Sequence, residues 1–185
     1  MKQNIKFYYV LIAVLFLVSK SYSQVTVSGS TSANGSYTRL GLAFTAINGA
    51  SQTGNNIVIT ITANTTETAA ATLNAGTWTT LKIYPTISGL TISGSLATPL
   101  IDFNGADNVT LDGRVNASGS TKNLIITNTN TSTTGGNSTL RFINSAENNT
   151  VKYCYIKGAH KSTASGIIFF STATSGNGND GNLIE

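Results

Sequence analysis

Leu100-Ile-Asp-Phe-Asn-Gly-Ala-Asp-Asn-Val-Thr-Leu111 returns forty residues later as Leu140-Arg-Phe-Ile-Asn-Ser-Ala-Glu-Asn-Asn-Thr-Val151. Five of the twelve positions are identical: Leu100/Leu140, Asn104/Asn144, Ala106/Ala146, Asn108/Asn148 and Thr110/Thr150. Asp107/Glu147 and Leu111/Val151 keep charge and apolarity. Such a return in register marks a structural repeat, in which similar units stack and bury a core only between neighbours. An antiparallel sandwich or barrel has no reason to repeat the pattern. A parallel β-helix, turning through about three short strands per coil, must present similar residues at equivalent places. The stretch from Leu100 through Val109–Asp112 and Leu124–Asn128 back to Leu140 fits one coil with a looped insertion.

The recurring asparagines fit the same picture. Asn104, Asn108, Asn144 and Asn148 would stack at about 4.8 Å, where amides ladder by hydrogen bonding along the axis. The alternative is that they are turn asparagines tolerating a left-handed backbone; for the in-register set, ladders are expected.

Outward from the repeat, alternating apolar and Thr/Ser positions predict strands at 57–62, 80–84, 90–93, 100–103, 109–112, 124–128, 139–143, 150–156, 166–170 and 182–184. Asn-Gly, Asp-Gly and Gly-Gly pairs punctuate them, and residues 129–138 and 171–181 are insertions expected to loop out of the body. Upstream, Tyr37, Leu40, Phe44 and Ile47 fall at helical spacing. One short helix is predicted over 38–48, capped by Thr38 and stopped by a left-handed Asn48-Gly49.

At the start of the chain, Lys2 and Lys6 precede an apolar run from Phe7 to Val18, followed by Ser21-Tyr-Ser23. That is the pattern of a secretory signal peptide with cleavage after Ser23, the apolar run being shorter than the roughly 20 residues a membrane span requires. The expected organisation is signal peptide at 1–23, an N-terminal cap with a short helix at 24–54, and coils from 55 to 185. Export takes Lys2, Lys6 and Lys20 with it, reducing the formal charge from +4 to +1. The remaining basic residues are scattered, which argues against nucleic acid as a partner. With Cys154 as the one cysteine, no intramolecular disulfide forms, and core and ladders must hold the fold.

Leu81-Lys-Ile-Tyr-Pro85, Leu90-Thr-Ile-Ser-Gly94, Leu100-Ile-Asp-Phe-Asn-Gly105 and Asn108-Val-Thr-Leu-Asp-Gly113 resemble the right-handed parallel β-helix proteins of the pectate-lyase-like superfamily. More closely, the chain is similar to large secreted surface proteins of Bacteroidota. Gly35-Ser-Tyr-Thr-Arg-Leu-Gly-Leu-Ala-Phe-Thr-Ala-Ile-Asn48 looks like their N-terminal capping segment. The resemblance implies an all-β, right-handed parallel β-helix with a short capping helix. Many such proteins carry further repeats and a C-terminal sorting domain for type IX secretion. Gly181-Asn-Leu-Ile-Glu185 reads as the start of another strand, so the chain is expected to be the N-terminal part of a longer protein whose uncapped last coil favours self-association.

The chemistry-bearing residues form no catalytic constellation. Acidic-glycan lyases on this fold need an Arg or Lys base beside a Ca²⁺-neutralised carboxylate; the available pieces are Asp102, Asp107, Asp112, Glu147, Arg114 and Lys152. Asp107 and Glu147 should sit one above the other, a weak Ca²⁺ possibility that leaves most of the 6–8 oxygen ligands unprovided. Asp112 before Gly113 most simply makes a turn, and a hydrolase would need a second carboxylate. The family's Asn-Thr-Asp, Asp-Asp, Gly-His-Gly and Arg-x-Pro-x-x-Arg signatures are missing. His160 stands on a loop without a partner in sequence, and Cys154 reads as a buried, inert thiol. Trp78, Tyr84, Tyr153 and Tyr155 would form a sugar platform only if two pointed outward on one sheet.

No catalytic, cofactor or metal residue is therefore assigned. The expected function is a secreted or cell-surface scaffold, adhesin-like, contacting glycans or other surfaces. The alternative is a polysaccharide lyase or glycoside hydrolase acting on acidic or plant or algal glycans, with catalytic residues expected partly beyond Glu185.

Overall fold

The computed structural model describes residues 22–171 and 178–185; most of the predicted signal peptide and part of the 171–181 insertion lie outside them. The chain enters through β1 (Val25–Ser28), β2 (Gly35–Tyr37) and α1 (Leu40–Asn48). It then winds through β3 (Asn56–Ile61), β4 (Thr65–Glu67) and β5 (Ala71–Asn74), and again through β6 (Thr80–Pro85), β7 (Thr91–Gly94) and β8 (Ile101–Asn104). Two further rounds follow: β9 (Val109–Asp112), β10 (Leu124–Asn128) and β11 (Leu140–Ile143), then β12 (Thr150–Lys152), β13 (Cys154–Gly158) and β14 (Ile168–Phe170). β15 (Leu183–Ile184) returns to the position above β12.

Every third strand pairs, in parallel. Sheet A runs β3-β6-β9-β12-β15, sheet B β4-β7-β10-β13 and sheet C β5-β8-β11-β14. Among the described residues the strands therefore stack in three sheets of mainly parallel pairing, an all-β-dominated arrangement with one α-helix, consistent with the expected β-helix. Among the described residues antiparallel pairing occurs only around β1, with β2 on one side and β3 on the other, extending sheet A beyond the first coil.

Alternation explains the core. Ile57, Ile59 and Ile61 lie in line with Leu81, Ile83 and Pro85, and Val109, Leu111 and Val151 continue the rows, all pointing inward. In sheet C, Leu73, Phe103, Phe142 and Phe170 form one column, with ring centroids 5.1 Å apart for Phe103–Phe142 and 4.7 Å for Phe142–Phe170. Burial of each such side chain contributes about 1.5–3 kcal/mol, so the stack is held by rows that no single coil could bury.

The repeat is in register where sheet A pairs, with Thr150 over Thr110 and Val151 over Leu111. It slips by one residue in sheet C, where Leu140 lies over Ile101 rather than Leu100 and Phe142 over Phe103. The extra residue is absorbed at the next corner: Asn144 and Ser145 both take left-handed backbone where the coil below uses Gly105. The asparagines divide between the two expected readings. Asn144 donates to Asn104 at 2.6 Å and Asn104 to Asn74 at 2.9 Å, a ladder across three coils that includes an asparagine absent from the repeat. Asn108 and Asn148 are the turn type, both with φ 56°.

Three expectations need correction. The predicted strand 150–156 is two strands, because Tyr153 (φ 53°) turns the chain from sheet A to sheet B. The helix begins at Leu40 and takes no cap from Thr38: Glu67, from β4, accepts the Leu40 and Gly41 N–H groups at 2.9 and 3.0 Å. Gly49 (φ −76°) is right-handed, and Asn48 instead docks the helix end onto β5 through Thr72 O and Asn74 N.

Candidate functional site

Sheet A places alternate residues of β6, β9 and β12 on the outside. Lys82 lies beside Thr110, and Lys152 beside Asp112, while Tyr84, next after the inward Ile83, faces outward like Lys82. After β9 the chain leaves the sheet for residues 113–123 and closes on itself, since Asn123 and Leu124 both donate to Gly113 O at 3.0 Å. Gly113 N–H donates to Lys152 O at 2.8 Å. A Cβ on Gly113 would stand 1.9 Å from Tyr153 O, so the close approach of the next coil requires glycine here. The excursion turns at Val115–Ala117 and forms one wall of a cleft of about 190 Å³ lined by Lys82, Tyr84, Thr110, Asp112, Arg114, Ala117 and Lys152.

Asp112 is the buried centre of this cleft. Its Oδ1 accepts the Arg114 N–H at 3.0 Å, the turn expected of an aspartate before glycine. It also takes a bidentate guanidinium, Nε to Oδ1 at 2.9 Å and Nη2 to Oδ2 at 2.6 Å, with Lys152 Nζ at 3.9 Å. Burial pushes the carboxyl up, but the hydrogen bonds and charge of Arg114, with Lys152 behind, outweigh it and hold Asp112 below the ordinary carboxylate range. The same hydrogen bonds raise Arg114, whose guanidinium also lies 4.6 Å from the Tyr153 ring centroid. Two cations thus share one carboxylate, and a third, Lys82, lines the same cleft. Lys82 is exposed and makes no ion pair among the described residues. The cleft is net positive.

The other candidates are not gathered here. Asp102 sits on sheet C, 4 % exposed, gripped by Arg141 of the next coil through Nε at 2.9 Å and Nη2 at 2.7 Å, which raises Arg141. Asp107 and Glu147 do stack, but the Asp107 carboxylate accepts the Glu147 N–H at 2.7 Å, using one of its oxygens as a backbone partner. Burial, with the charge of Asp112 behind it, pushes the Cys154 thiol up to about 12, as expected for an inert core thiol. His160 lies on the loop after β13, its Nδ1 buried without a hydrogen-bond partner. Trp78 is in the core and donates to Asp107 O at 2.7 Å. Tyr84 faces outward on sheet A and Tyr155 on sheet B, so the aromatics do not make one platform.

Sequence reasoning passed over Lys82, Arg141 and Glu67. Once Leu81-Lys-Ile-Tyr84 and Val109-Thr-Leu-Asp112 are laid over each other, alternation alone puts Lys82, Tyr84 and Asp112 on one face. A second hollow of about 100 Å³ lies at the helix start between Arg39, Thr45 and Glu67, with the Glu67 carboxylate already engaged by the helix. Among the described residues no helix is long and apolar enough to cross a membrane. No protein-family model, curated protein or solved structure matches the chain.

Proposed function

We propose that this is an exported, surface-displayed right-handed β-helix scaffold of pectate-lyase-like type that holds an anionic glycan against sheet A. The observation that supports the binding role is the cleft lined by three cations, Lys82, Arg114 and Lys152, and one carboxylate, Asp112. Right-handedness follows from general preference, since the passage from β3 through β4 and β5 to β6 is a parallel crossover, and about 98 % of such connections are right-handed. Sugar carboxylates or sulfates suit Lys82 and Lys152, and Tyr84 supplies an apolar face with a polar edge. Contacts of this kind weaken with salt.

A lyase reading rests on the same cleft and is less favoured. Arg114, held by Asp112, gives up its proton less readily than a free guanidinium, leaving Lys82 and Lys152 as the candidate bases, with Lys152 3.9 Å from the Asp112 carboxylate. Asp112 has no carboxylate beside it in the cleft to make a hydrolase pair.

Affinity electrophoresis of the exported chain in polygalacturonate, alginate or sulfated galactan, against neutral dextran, tests the proposal. Retardation by the acidic polymers, abolished by 0.5 M salt (about 4 Å of screening length) and by Lys82→Ala/Lys152→Ala, is expected. Equal mobility in all gels would sink it. Ultraviolet-absorbing unsaturated ends released from the acidic polymers would replace it with the lyase.

A further inference from the structure

Neighbouring coils cross the corner between sheets A and B in different ways. The coil of β9 uses residues 113–123 there, whereas the next passes from Lys152 to Cys154 on Tyr153 alone. That one residue takes left-handed backbone, at φ 53°. Eight non-glycine residues do so among the described residues; four are asparagine, and three are the small Ser32, Ala117 and Ser145. Tyr153 is the one bulky member of the set. Asparagine visits this region readily, but a bulky side chain is held there against its preference. Outliers of this kind gather where a fold makes use of the strain.

The use lies against Arg114. Tyr153 is only half-buried, and the face of its ring meets the guanidinium, with Cζ 4.6 Å from the ring centroid. The edge of that guanidinium is already engaged: Nε and Nη2 donate to Asp112, and Nη1 donates to Gly119 O at 2.9 Å. In-plane hydrogen bonds leave a planar group free to tilt, and an aromatic face stacked on it removes that freedom. Gly119 belongs to the loop at 113–123, so Arg114 ties sheet A to the loop that walls the cleft. The root of the loop is pinned at the same corner, with Gly113 N–H donating to Lys152 O and Tyr153 O filling the space a Gly113 Cβ would need.

We infer that Tyr153 is a positioning residue of the anion-binding cleft: its ring fixes the Arg114 guanidinium and, through it, the loop wall, and the left-handed strain at its corner is kept for that contact. The inference rests on the reading of the cleft as a glycan site. Asparagine would make the same corner with less strain and would present no ring. Tyr153 touches no ligand in this account and acts only through Arg114. Stability and binding should therefore respond differently when it is replaced.

Urea unfolding and affinity electrophoresis of the exported chain, in whichever of polygalacturonate, alginate and sulfated galactan retards the wild type, provide the test. Tyr153→Asn should unfold at the wild-type urea midpoint or above it, yet bind the polymer roughly three- to fivefold more weakly, the loss of one exposed cation–π contact. Tyr153→Phe keeps the ring and should match the wild type in both measurements. Tyr153→Leu keeps bulk and the left-handed strain without a ring, and should weaken binding as Asn does. On an Arg114→Ala background, Tyr153→Leu should change binding no further. Binding by the Leu variant equal to that of the Phe variant overturns the inference. So does a Tyr153→Asn protein that loses stability and binding in step, the mark of a packing role, or a further loss of binding on the Arg114→Ala background. A wild type retarded by none of the acidic polymers removes the glycan reading itself, and this inference with it.

Discussion

Among the described residues, two bidentate aspartate–arginine pairs differ in what they join. Asp112 and Arg114 are two residues apart and close a turn, while Asp102 and Arg141 come from neighbouring coils. The local pair draws a loop over sheet A and so builds the cleft. The long-range pair fastens one coil to the next on sheet C. Similar chemistry serves a surface in one place and the stack in the other, and chain separation decides which.

The largest break in the comparison should come from Gly113→Ala. Its Cβ would stand 1.9 Å from Tyr153 O, so either the loop or the next coil must shift, at a cost of about 2–3 kcal/mol. Urea unfolding would show the loss, and glycan retardation should fall with it. Asp102→Ala comes next. It strips Arg141 of its partner, and because Arg141 is partly exposed the loss is about 1–2 kcal/mol. Glycan retardation should be unchanged, which separates the clamp from the cleft.

Acid sharpens the contrast further. The folded-state pKa of Asp112 is depressed, so its contribution is fully present above the ordinary carboxylate value of about 3.9 and is lost as pH falls through the lower folded value. The stability gap between wild type and Asp112→Asn should be level from neutral pH down to about pH 5 and shrink below about pH 4. The smallest effect is expected for Asn104→Ala, which cuts the exposed amide ladder between Asn74 and Asn144 for about 0.5–1 kcal/mol.

The stacked sheets were legible because alternation and the forty-residue return both depend on inward rows such as Ile83, Leu111 and Val151. The sequence did not reveal β4 and β5: Thr65–Glu67 and Ala71–Asn74 are three and four residues long, rich in Thr and Ala, and become strands only through their ladders to β7 and β8. The cap by Glu67 was hidden for the same reason, since it joins residues 27 apart that no local rule connects. The slip in sheet C shows how similarity can mislead by one position: Leu140 matches Leu100 in type but lies over Ile101, because Asn144 is an added corner residue. Of the cleft, Asp112, Arg114, Lys152 and Tyr84 were visible as separate pieces. Their convergence required knowing which strands are neighbours and where the loop at 113–123 folds back.

The stacking of coils is tested most directly by a double-mutant cycle on Asp102 and Arg141, using Asp102→Ala, Arg141→Ala and the double variant in urea unfolding. Parallel pairing of β8 with β11 predicts a coupling of about 1 kcal/mol or more between residues 39 apart in sequence. Additive losses, with no coupling, would contradict it.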